Sequence, residues 1–159
     1  MRAVKPEQHV TINVGSAVIL GILLNSWIAG ISSCLTGIFI DLDHFIDYWV
    51  NRGFNLSVSG FLDFCYHGTS KRFFDLLHGY EYIPLFVGIS FLPGLDMLGI
   101  GLTTGYVLHL LCDQFYNTHL NRWTYFLSFR IYHRFAFSRI VTRTPGLNPT
   151  PVLEHRGES

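Results

Sequence analysis

The chain has 159 residues with 11 basic and 11 acidic side chains, so its formal charge of zero selects neither an acidic nor a basic partner. Apolar residues make up 49% of it and charged residues only 14%, with 14 Phe and 8 Tyr. With a positive mean hydropathy, this composition argues against an ordinary soluble domain and for a membrane setting, and the length fits one domain.

In chain order, "MRAVKPEQHV" places basic residues before a long apolar run. No small-residue cleavage site follows a short apolar core, so a cleaved secretory signal is not expected. Residues 10–40 carry no charge; the run is too long for one span of roughly 20 residues and slightly short for two. It is interrupted by "NSWIAGISS" (25–33), polar and Gly-bearing, with Trp27 suited to an interface. The pattern predicts a helical hairpin, helix 1 over about 8–25 and helix 2 over about 30–50. Residues 51–72 read as a loop with a short amphipathic piece around 61–66. Helix 3 is expected over about 72–92, "LPGLD" (92–96) breaks the chain, and helix 4 continues to about Asn117. Residues 121–143 hold five Arg, no acid and many aromatics. They suit a helix lying on anionic headgroups, or equally one packed on the bundle. The Pro-bearing tail 144–159 reads as disordered.

The expected fold is therefore all-α. Residues 1–120 form an integral membrane four-helix bundle of two hairpins, and 121–143 an additional basic amphipathic helix. If both hairpins turn on one side, the clusters Arg2/Lys5, Arg52/Lys71/Arg72 and the five Arg of 122–143 all fall on the other. The positive-inside rule makes that side cytoplasmic, with both termini inside. Cys34, Cys65 and Cys112 form no CxxC pair and read as small buried hydrophobes in a disulfide-free setting.

Against this apolar background the stretch "GIFIDLDHFIDYWV" (37–50) stands out. At 100° per residue, Asp41, Asp43, His44 and Asp47 fit one face of about 160°, at spacings where side chains meet. Acids near a helix C-terminus oppose the helix dipole, so mere solvation is an unattractive account. His109 and Asp113 form an i, i+4 pair on an apolar helix. His78 lies three residues before Glu81, with Asp75 before it, and His9 lies one turn before Asn13. Counted from the turns, His9, Asp41 to Asp47, His78 and His109 to Asp113 reach one layer roughly 20–28 Å away, near the cytoplasmic face. Carboxylates gathered in low dielectric repel and lose hydration, and a divalent cation removes both penalties. Imidazole with carboxylate suits zinc, while manganese, iron or magnesium also fit. Ionisable groups inside a bundle mark functional sites.

These segments, His9, "DLDHFID", "LLHGYEYI" and "GYVLHLLCDQ" in that order over residues 9–117, resemble the bacterial family known as inner-membrane metal-dependent hydrolases. The Asp-x-Asp-His and Gly-Tyr-x-x-His-x-x-x-Asp segments are the specific ones. More distantly, the His-x-x-x-Asp helix is similar to that of the zinc-dependent phospholipase C and nuclease group. That likeness implies Asp41, His78, His109 and Asp113 as ligands of one metal, with His9 joining a neighbouring ion that shares Asp113. The further His and Glu ligands of that group have no counterpart here, which argues against a three-metal cluster.

The first reading is thus a metal-dependent hydrolase of the bacterial inner membrane. Asp41, His78, His109 and Asp113 would be its ligands. Asp43, His44 and Asp47 would serve as outer-shell, second-metal or proton-transfer residues. Membrane lipids would be its surroundings and a lipid or lipid-linked phosphoester its substrate. A metal-ion transporter is the alternative, although stretches such as "AVILGILL" and "FVGISFLPGL" carry no ionisable group to continue a path. A scaffold with a structural metal is a third. No nucleic-acid motif, phosphate loop or nucleophile elbow accompanies the basic segment, and the Asn55 "NLS" pattern falls on the expected cytoplasmic side. The oligomeric state stays open.

Overall fold

The computed structural model describes residues 6–67, 72–117 and 120–141. Arg2, Lys5, Lys71, Arg143 and the expected disordered tail 144–159 lie outside the described residues. The described chain is helical; no strand occurs among these residues, only two isolated bridges, Arg72 to Ala136 and Leu120 to Val141.

Helix α1 (Pro6–Leu23) and helix α2 (Trp27–Phe39) form the first hairpin. Pro6 opens α1, where its missing N–H costs nothing. Asn25, at φ 46°, makes the tight turn, and the Ser26 side chain accepts the Ala29 N–H at 3.3 Å to cap α2. The chain then tightens into a 3-10 turn, Ile40–Asp43, and continues as α3 (His44–Arg52), which Gly53 ends at φ 85°. Helix α4 (Val58–His67) follows, longer than the amphipathic piece expected at 61–66.

The expected helix over 72–92 is not there. Residues 73–79 are non-helical, a 3-10 turn spans Tyr80–Tyr82, and the helix proper, α5, covers only Ile83–Ile89. The cause lies in who satisfies the backbone. The Phe74 and Asp75 N–H groups donate to the Asp47 carboxylate, Leu77 N–H to Asp43, and Gly79 N–H to the Tyr106 hydroxyl. Side chains from elsewhere have taken the donors that a helix would use internally.

Helix α6 (Asp96–Tyr116) is the longest, at 21 residues, or about 31 Å. It crosses α2 closely because Gly101 and Gly105 face it. A Cβ would stand 1.9 Å from Ser32 Oγ at the first and 2.1 Å from the Ser33 carbonyl oxygen at the second. Small residues one turn apart allow this backbone approach. Ile40, Tyr106, Leu110 and Tyr125 form the buried core, with Tyr80, Tyr82, Ile83 and Phe86 packed on it.

The basic segment is not one helix. It breaks into a 3-10 turn (Arg122–Tyr125), α7 (Leu127–Tyr132) and α8 (Phe137–Ile140), with Arg134 and Phe135 at φ 54° and 55° between the last two. It folds back so that the Phe73 N–H donates to the Phe135 carbonyl at 3.0 Å and Arg130 and Ile140 are fully buried.

Large apolar side chains cover the outside. Val10, Val14, Val18 and Ile22 line one exposed face of α1, and Ile28, Ile31, Leu35 and Phe39 are exposed on α2. Among the described residues one helical stretch, Trp27–Arg52, is long and apolar enough to cross a membrane by length and composition, and apolar Gln8–Leu23 is shorter. Four spanning helices therefore do not follow from the fold.

Candidate metal centre

The functional candidates gather at one end of the helices, opposite the turns at Asn25 and Gly94. His9 comes from the first turns of α1 and Asp41 from the 3-10 turn. His78 comes from the non-helical segment before α5, and His109 and Asp113 from the last turns of α6. Asp41 Oδ1 lies 3.5 Å from His78 Nε2 and 3.2 Å from His109 Nε2. Asp113 Oδ2 lies 3.4 Å from each of the same two nitrogens. A tetrahedral ion with ligand bonds of 2.0–2.2 Å requires donors roughly 3.3–3.6 Å apart. Three of these four separations have that size and the fourth is just shorter; His78, His109 and Asp113 are a buried group that could hold a metal ion, with the partly exposed Asp41 at similar spacing to both rings.

The proton positions strengthen this. His109 Nδ1 lies 2.7 Å from the Gly37 carbonyl oxygen, which only accepts, so Nδ1 carries a hydrogen. In the neutral ring Nε2 is then a lone pair facing two carboxylates. His78 is arranged alike, with Nδ1 donating to Asp43 Oδ2 at 3.1 Å. Neither Nε2 has a hydrogen-bond partner among the described residues, and both are buried. A cation must stand between these donors, either a proton on the rings or a metal. Burial alone would depress the pKa of His78. The Asp41 and Asp43 carboxylates beside it outweigh this and raise it to about 10.

His9 meets the other oxygen of Asp113, with its Nε2 3.0 Å from Oδ1, and its ring stacks on His109 at 4.5 Å. The ligand atoms of His9, Asp41 and His109 lie within 4.8 Å of one another.

The three residues expected in outer-shell or catalytic roles separate. Asp43 is buried, accepts the Leu77 N–H at 2.6 Å and orients His78. His44 turns Nε2 toward Asp41 Oδ1 at 3.4 Å and is held from behind by Asp75 Oδ1, 2.8 Å from its Nδ1. Residues three apart eclipse in a 3-10 turn, which brings 41 and 44 to one side. Asp47 belongs to no group of metal-ligating atoms among the described residues. Its carboxylate shapes the segment that carries His78, accepting from Phe74 N–H at 2.7 Å and Asp75 N–H at 3.1 Å.

Several supporting residues carry little signal in the sequence. Asp75 has helical spacing to His78, yet its φ of 36° ends any helix and its carboxylate serves His44. Burial opposes its charge, but the His44 imidazole beside it holds its pKa below the usual carboxylate range. The Gly37 carbonyl also accepts from Asn13 Nδ2 at 2.8 Å, and a Cβ at 37 would meet that amide at 2.4 Å. The Tyr106 hydroxyl lies within hydrogen-bond distance of both the Leu77 and Gly79 carbonyls, its one hydrogen serving either, and Arg130, from the basic segment, donates to the His78 carbonyl at 3.0 Å. Glu81 stands apart from the centre and accepts from the Leu127 and Ser128 N–H groups at the start of α7.

No family model matches the chain, and no curated protein or solved structure is significantly similar to it.

Proposed function

We propose that the chain is a membrane-bound, metal-dependent hydrolase of phosphoester substrates. One observation carries this reading. The Nε2 atoms of His78 and His109 each lie 3.2–3.5 Å from one oxygen of Asp41 and one oxygen of Asp113, residues drawn from three separate parts of the chain. Asp41, His78, His109 and Asp113 are the ligands of the primary ion, and two nitrogens with two oxygens suit zinc first. Such an ion would supply Lewis acidity, able to polarise a phosphoryl oxygen and to lower the pKa of a bound water.

The chain's own groups complete the arrangement. Asp43 and the Gly37 carbonyl fix the two rings in the tautomer that points Nε2 inward. The side chains of Asp41 and His44 are each 31% exposed, whereas those of His78, His109 and Asp113 are buried. That partly exposed side supports a route of approach for a substrate, and catalysis there would need the ion to take a further ligand beyond the four from the chain.

Exposed Val and Ile along α1 and α2 support the membrane setting. α1, the α2–α3 stretch and α6 would be the principal lipid-embedded helices, with short α5 as a partial fourth. A centre at one end of such helices sits near headgroup level, which favours a lipid or lipid-linked phosphoester. In this reading the chain belongs in the bacterial inner membrane with that end cytoplasmic, beside the families it resembles.

Metal analysis of the detergent-purified chain beside His109→Ala and Asp41→Ala tests the centre. Metal is expected in the parent and at most a small fraction of it in each variant. Equal content in all three removes the site. A screen against phosphodiesters and phospholipids then separates an enzyme from a protein whose metal is only structural.

A further inference from the structure

The donors at this end outnumber what one tetrahedral ion takes, and the surplus has an order of its own. His44, His78 and His109 share one construction. Each has Nδ1 engaged by a fixed acceptor: Asp75 Oδ1 at 2.8 Å, Asp43 Oδ2 at 3.1 Å and the Gly37 carbonyl at 2.7 Å, respectively. Each turns Nε2 toward the same atom, Asp41 Oδ1, at 3.4, 3.5 and 3.2 Å. A histidine needed only to hydrogen-bond Asp41 would require no carboxylate behind it. A carboxylate behind an imidazole whose other nitrogen points into a donor cluster is how metal-ligating histidines are held. Asp75 is itself 4% exposed, and a segment pinned by two backbone N–H donations to Asp47 fixes its position. The pairing behind His44 is therefore built into the fold.

The primary ion has its four donors without His44. Asp41 joins the two groups, because its oxygen lies within ligand spacing of all three rings and the atoms of Asp41, His44 and His78 fall within 4.8 Å of one another. We infer that the centre holds two divalent cations. The second is bound by His44 Nε2 and bridged to the first by the Asp41 carboxylate. Asp41 and His44 are the two partly exposed members, so the second ion lies on the open side. An ion held there would keep positions open on the solvent side, suited to an anionic oxygen of a phosphate ester. This inference rests on the reading of the primary site, which it extends by one ion and one ligand.

The full-length chain, purified in detergent and stripped with a chelator, is dialysed against Zn2+ and its zinc counted per chain by elemental mass spectrometry. Two zinc ions per chain are expected in the parent. His44→Ala is expected to keep one, and Asp75→Asn to bind the weaker of its two ions about 10–100-fold less tightly, as loss of a ring-orienting partner does. One zinc in the parent overturns the second ion while leaving the primary site intact. No zinc in the parent removes both readings. Two zinc ions retained in His44→Ala also overturn the assignment. Parent stoichiometry decides the number of ions even if His44→Ala fails to fold, and Asp75→Asn, which keeps every ligand, then decides whether His44 holds the second; unchanged affinity for both ions in that variant overturns the assignment.

Discussion

His109 shows how much a single ring nitrogen settles. Its Nδ1 is committed to the Gly37 carbonyl, so its chemistry is confined to Nε2, which has only carboxylates in front of it. His78 has the same arrangement and titrates accordingly. Its pKa rises from 6.5 to about 10 without metal. The charged ring therefore stabilises the metal-free fold fully below pH 6.5, and that contribution is lost as pH climbs through about 10. Metal binding runs the opposite way, because the cation displaces the proton and gains up to about tenfold in affinity per pH unit for each proton released. In chelator, the melting temperature should fall between pH 6.5 and 10, while zinc-loaded protein holds or gains; a metal-free melting temperature that climbs over this window overturns the assignment. The participants His9, Asp41, His78, His109 and Asp113 could be picked from the sequence because acids and imidazoles are conspicuous in apolar helices. Gly37, Asn13 and Arg130 could not, since a carbonyl, an amide and one Arg among five announce nothing until the fold aims them.

At the scale of elements, the contact between α2 and α6 sets the geometry, since one carries the chain to Asp41 and the other holds His109 and Asp113. Gly105→Ala would drive a Cβ against the Ser33 backbone. We expect a loss of about 1–3 kcal/mol, the usual cost of overpacking, read as a lower denaturation midpoint; an unchanged midpoint would show that the helices do not meet there. The two long helical stretches before residue 53 and the one after Gly94 were legible from their uncharged runs and their Gly and Pro breaks. The segment 73–79 was not. Its apolar residues suit a helix, and only distant carboxylates and a tyrosine hydroxyl, taking its backbone donors one by one, hold it open. The basic segment packs on the bundle, one of the two expected placements, but is broken where a single helix is expected, for a related reason. Its composition fits an amphipathic helix, but positive φ at Arg134 and Phe135 turns the chain back onto the bundle.

Across the described residues, the acids and imidazoles of the centre gather at one end and large apolar side chains are exposed along α1 and α2. That distribution supports the membrane setting proposed above. The chain should remain with the membrane pellet through an alkaline carbonate wash and enter solution only with detergent. Release by carbonate alone would contradict lipid embedding and leave the metal centre untouched.

Arg130 ties the last described helices to the backbone of His78 through a single guanidinium donor. The Arg-rich segment therefore leans on a metal ligand, and whatever steadies that ligand steadies the segment. Trypsin should report this mechanical linkage, since Arg134 and Arg139 are both exposed. Cleavage after them should slow when zinc is present and quicken when a chelator takes it away. Identical digestion rates in the two conditions would show that the segment is held without reference to the cation.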